Sequence, residues 1–145
     1  MINFKITSDN KSYISKYTKP FEFICSNVEK TLDIKKDKVL DISFITGPAI
    51  RKLNKKYRKI DKETDVLSFT NTHDILIGEI FIAYDFAQKE SLRLHTTLDY
   101  EICLLFTHGL LHLLGYDHDN KIKEKNMFNL QERLIENIIS KNENI

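Results

Sequence analysis

Apolar positions along the chain switch between two periods, and the switches mark the elements. "INFKIT" alternates Ile2, Phe4 and Ile6 with polar neighbours, the period of two of a half-buried strand. From about Pro20 to Leu32 the spacing becomes three and four, through Phe21, Ile24, Cys25, Val28 and Leu32, which predicts a helix packed on a sheet. "LDISFIT" (40–46) alternates again with Leu40, Ile42 and Phe44 on one face, and Gly47 and Pro48 punctuate it. Pro48 suits the first turn of a helix running through Ile50, Leu53 and Tyr57.

The second half repeats this logic. "DVLSFT" (65–70) and "ILIGEIFIAY" (75–84) are rich in β-branched and aromatic residues and flank a polar "NTHD", as a hairpin or as neighbouring strands. "DFAQKESLRL" reads as a short helix with Asp85 as candidate cap. A longer helix starts near Thr97, carries Leu98, Ile102, Leu105, Leu110 and Leu113, and stops at Gly115. A last helix, roughly 120–140, is expected to bury Ile122, Met127, Leu130, Leu134 and Ile138. No repeat, low-complexity tract or linker divides the chain, so residues 1–145 read as one domain.

Composition narrows the class. With 145 residues, 41% hydrophobic and 30% charged, the chain can bury a core and is not a disordered one. No run reaches the roughly 18 apolar residues of a membrane helix, and "MINFKITSDNKSY" lacks a signal-peptide pattern, so a cytoplasmic location without membrane contact is expected. Cys25 and Cys103 sit apart among apolar neighbours and read as reduced core residues. The net charge of +1 does not announce a nucleic-acid binder, but "RKLNKKYRKIDK" (51–62) concentrates seven lysines and arginines against one aspartate. Nothing in the pattern predicts an oligomer.

The candidate chemistry lies in "HGLLHLLGYDH" (108–118). On a helix His108 and His112 stand one above the other, and Gly115 lets the chain turn so that His118 can swing back to them. Three neutral imidazoles plus a water make the open ligand set of a catalytic zinc, which acidifies that water towards neutrality. A lone histidine is usually just packed or solvated, whereas three at this spacing around a glycine satisfy both helix register and turn. Nickel, copper and iron also suit such a set. Peptidases with the same spacing carry a glutamate directly after the first histidine, and here that position is Gly109.

Several residues stay open on their chemistry alone. Asp117 is a metal ligand, a group supporting the ligands or only a turn former, and Thr64 and Asp65 at a strand entry are either functional or cap or turn the chain. His73 and His95 read as surface histidines. Arg58 could clamp a phosphate through two donors, although charge runs usually face water.

Taken together, "NKKYRKIDKETDVLSF" (54–69), "GEI" (78–80) and "HGLLHLLGYDH" (108–118) resemble the three successive motifs of the YbeY family of bacterial metal-dependent endoribonucleases. The resemblance covers about residues 54 to 130, including Met127, and departs at Glu79, where the family usually has aspartate. It implies an α+β fold with a mixed sheet of about four strands under helices, and a metal site at the C-terminal end of a central helix. It also implies zinc on His108, His112 and His118 and a functional Arg58. The activity implied is cleavage of single-stranded RNA in small-subunit ribosomal RNA 3′ maturation and ribosome quality control. The small ribosomal subunit and an Era-type GTPase are the implied partners.

On this reading His108 and Arg58 act at the scissile phosphate, while Lys55 and Lys56 hold the strand. Whether water or the RNA 2′-hydroxyl attacks is left open. Two other classes fit parts of the pattern: a metzincin-like metallopeptidase, and a non-catalytic RNA-binding ribosome assembly factor. Gly109 separates the first, because peptide hydrolysis relies on a general base that glycine cannot supply.

Overall fold

The computed structural model describes residues 1–71 and 75–140, and among these four strands pair into one mixed sheet. Strands β1 (Ile2–Ser8) and β2 (Lys38–Ile45) are parallel, joined by helix α1 (Lys11–Thr31) as a crossover. After helix α2 (Gly47–Arg58) the chain forms β3 (Val66–Thr70) and β4 (Leu76–Ala83), which pair antiparallel, so the hairpin alternative holds. Strand β4 also lies parallel to β2, giving the order β1-β2-β4-β3 with β3 at an edge. Helices α3 (Tyr84–Leu94), α4 (Leu98–Leu113) and α5 (Lys121–Ile135) complete the α+β fold.

Apolar and polar residues alternate along β1 and β2 because one face is buried, whereas β4 packs against apolar residues on both faces. Ile80 and Ile82 point into the main core with Ile42, Leu40, Phe21, Phe106 and Leu110, while Phe81 and Ala83 point the other way to Ile50 of α2 and Leu67 of β3. In the main core Phe21 of α1 stacks on Phe106 of α4 with ring centroids 4.0 Å apart, and Phe4 of β1 meets both rings edge-on or tilted. Helix α4 buries Ile102, Cys103, Phe106, Leu110 and Leu111, which makes it the central helix. Cys25 and Cys103 are free and buried, and burial pushes both thiols up to about 12, so neither is a thiolate near neutrality.

Four expectations need correction. Helix α1 starts at Lys11, not near Pro20, and Pro20 lies inside it. Asn10 caps the start by accepting from the Ser12 amide, and Tyr17 extends the buried stripe of Phe21 and Ile24 upstream. Asp85 does not cap α3, whose N-cap is Ala83; its carboxylate instead accepts from the Gly47 amide at 2.8 Å and so ties the start of α2 to α3. Helix α5 ends at Ile135, short of residue 140, and leaves Ile122 exposed. Helix α2 runs through Ile50, Leu53 and Tyr57 as expected, with Tyr57 exposed and edge-on against Phe69.

Candidate metal centre

The C-terminal half of α4 carries the chemistry. Helical spacing places His108 and His112 on one face, and their Nε2 atoms lie 3.0 Å apart. Tetrahedral zinc, with Zn–N bonds of about 2.05 Å, holds its nitrogens about 3.3 Å apart, so these two rings are set for one ion. After the C-cap Leu114, Gly115 adopts φ of 100° and turns the chain, and no atom lies within 4 Å of where its side chain would be. The choice of glycine here is therefore one of conformation and not of space. That turn returns His118, and ligand atoms of all three histidines lie within 4.8 Å of one another, with His118 exposed. The donor set fits a divalent metal that prefers nitrogen.

The electrostatics prepare the rings. Burial lowers the basicity of His108 and of His112, the neighbouring histidines oppose a second positive charge, and Arg58 adds to this at His112. Both rings are thus neutral, with lone pairs available, near neutral pH. His108 Nδ1 meets Gln131 Oε1 at 2.6 Å; an amide oxygen only accepts, so Nδ1 carries the proton and Nε2 is left for a metal. Gln131 is buried on α5, and its position was not singled out from the sequence. Its signal was available: it falls one turn after Met127 on the buried side of the last helix. Gln131→Leu is expected to weaken metal affinity about 10- to 100-fold, and Gln131→Glu to restore it, as titration with a chromophoric chelator would show.

Close packing fixes the helix over the sheet. A Cβ on Gly109 would meet Ile80 side-chain atoms at 3.0 to 3.2 Å, so the position after the first histidine faces β4 and not the metal. A Cβ on Gly78, which has φ of 151°, would meet the Phe69 carbonyl oxygen at 2.2 Å and Leu113 at 2.6 Å. Gly109 lets α4 approach Ile80 of β4, and Gly78 leaves room for the Phe69 carbonyl of β3 and for Leu113 of α4.

The other sequence candidates differ in what surrounds them. Arg58, at the last position of α2, donates from Nη2 to the Ser68 carbonyl at 2.8 Å and lies over Phe69 at 5.4 Å, so it is held at the β3 edge. Asp65 accepts from the Val66 amide and the Thr64 hydroxyl, and its charge reaches His108. Glu79, Lys55 and Lys56 are exposed elsewhere: Lys55 faces Asp61 at 4.0 Å and Lys56 lies over Tyr57. Asp117 accepts from the Asp119 amide and pairs with Lys123, as a turn former does. His95 is exposed at the C-cap of α3, and His73 lies outside the described residues.

Fold and site together define an α+β protein with a cluster of three histidines that could hold a metal ion. The family model for endoribonuclease YbeY matches residues 3–139, and the chain belongs to the YbeY family. Endoribonuclease YbeY of Acholeplasma laidlawii is 45% identical over 129 residues, spanning 86% of this chain and 93% of the relative. The Ureaplasma urealyticum enzyme of the same name is 36% identical over 150 residues, spanning 99% and 97%. The solution structure of TM1509 from Thermotoga maritima shares the fold, with a TM-score of 0.60 and 21% identity over 94% of this chain and 91% of that one. Among the described residues no helix is long and apolar enough to cross a membrane.

Proposed function

We propose that the chain is a zinc-dependent endoribonuclease that cuts single-stranded RNA. The observation that carries this reading is the joint placement of three converging imidazoles and Arg58, whose charge is felt at His112. A divalent metal bound there would supply a Lewis acid for the phosphodiester. His108, His112 and His118 would hold it, and Gln131 fixes the ring of His108. Arg58, anchored to Ser68 and Phe69, keeps a guanidinium within electrostatic reach of His112, where it can neutralise charge building on a phosphate. Lys55 and Lys56, further back on α2, offer the RNA backbone two more cations.

Two features weigh against a metallopeptidase. Gly109 faces Ile80, so no general base follows the first histidine. The edge strand β3 is also blocked as a template for a peptide. The carbonyl of Asp65 and the amide of Asn71 bond towards β4, so by alternation the backbone groups of Ser68 point outwards. Arg58 takes that outward carbonyl. The names of the relatives, endoribonuclease in each case, agree with the RNA reading.

The family resemblance extends the proposal to maturation of the small-subunit ribosomal RNA 3′ end and to ribosome quality control in the cytoplasm. The small subunit and an Era-type GTPase stand as partners on the same basis. The test uses purified protein with measured zinc content on unstructured RNA, duplex RNA and casein. Cutting of unstructured RNA alone is expected, and the chemistry of the new termini identifies the nucleophile, since a cyclic phosphate implies the 2′-hydroxyl. Arg58→Glu is expected to lower RNA cleavage about 10²- to 10³-fold with zinc content unchanged. Cleavage at the wild-type rate would remove Arg58 from the mechanism.

A further inference from the structure

A second wall of the histidine cluster is left idle by this mechanism. A cleft of about 280 Å³ is lined by His108, His118, Glu124, Met127, Phe128 and Gln131. Helix α5 turns Met127, Gln131, Leu134 and Ile135 into the protein, yet Phe128 is 48% exposed and borders this cleft. Single exposed apolar residues are common on protein surfaces, but this ring shares a cavity with two of the three candidate ligands. Glu124 lies one helical turn earlier on the same face and puts a carboxylate in the same cleft. A phosphate is repelled by that carboxylate, whereas the flat uncharged face of a base is not. The cation lies elsewhere, where Arg58 acts on His112, a ring that does not line the cleft.

We infer that this cleft is a base-stacking subsite, in which the nucleobase on one side of the scissile phosphate lies against the ring of Phe128. The inference rests on the endoribonuclease reading above and adds to it a specificity determinant. Proteins that read single-stranded RNA stack splayed bases on aromatic side chains, and such stacking tolerates any base because every base has a π face. A base paired within a duplex is not free to leave its stack for Phe128. The subsite therefore gives the enzyme a preference for unpaired RNA that three histidines and an arginine do not provide, since those groups contact only the backbone.

The experiment takes a short unstructured RNA with one mapped cut, resynthesised with an abasic ribose on one or the other side of that cut. With zinc-loaded wild-type protein, removal of the base on one flank is expected to lower kcat/KM about tenfold, and removal on the other flank to have little effect. Phe128→Ala is expected to lose the same factor on intact RNA and nothing further on the sensitive abasic substrate, while Phe128→Tyr restores the rate. Zinc content and thermal midpoint should not change, because the ring is half exposed. Wild-type rates for Phe128→Ala, or equal losses on intact and abasic RNA, would overturn the subsite while leaving the nuclease reading intact. A wild-type protein that cuts none of these RNAs would overturn both.

Discussion

His112→Ala is expected to abolish stoichiometric metal binding and to lower RNA cleavage by at least about 10³-fold. The magnitude follows from the several kcal/mol that a metal contributes to a charged transition state, at about 1.4 kcal/mol per factor of ten. His112 is a cleaner position than His108, whose removal would also strip Gln131 of its partner inside the protein. Because only the folded state assembles the cluster, metal binding should also raise the thermal midpoint of the wild-type protein. A chelator should lower that midpoint in the wild type and leave it unmoved in the variant. Metal content and melting read out the ligand role independently of activity. Full zinc occupancy in His112→Ala would sink the three-histidine centre.

The parts of this molecule that were legible in the sequence are those governed by local periodicity. Ile2, Phe4 and Ile6, or Leu40, Ile42 and Phe44, show their strands because one face of each is buried along its whole length. His108 and His112 are legible for a related reason: helix geometry alone brings residues four apart together, and Gly115 marks the turn to His118. The start of α1 was obscured because Pro20 resembles a first-turn proline, while the stripe that continues upstream through Tyr17 shows only once β2 and α4 surround it. The partnerships of Asp85 with Gly47 and of His108 with Gln131 join residues 38 and 23 positions apart. No periodicity reports such pairs. What they decide is the entry angle of α2, which carries Arg58, and the tautomer of a candidate ligand.

The packing at Gly109 carries the second large effect. Gly109→Glu is expected to destabilise the fold by about 3 kcal/mol or more, the sum of about 1–3 kcal/mol for overpacking and a further cost for burying a carboxyl group without a partner. The cause is local: an added Cβ would lie within 3.0 to 3.2 Å of three Ile80 side-chain atoms, and Ile80, on the inner strand β4, is fully buried. Gly109→Ala separates the two contributions. It makes the same Cβ contact but gains about 1 kcal/mol of helix propensity, so its net cost should be at most about 1 kcal/mol. Denaturant titration of both variants measures the difference. A glutamate at 109 would thus be directed at β4 and could not serve water at the histidines, and neither variant should acquire casein hydrolysis. A Gly109→Glu protein as stable as the wild type and active on casein would mean that the glycine is a mere lost base. The close approach to Ile80 argues instead that α4 lies too near the sheet for a glutamate side chain there, and that this chain must activate its nucleophile without one.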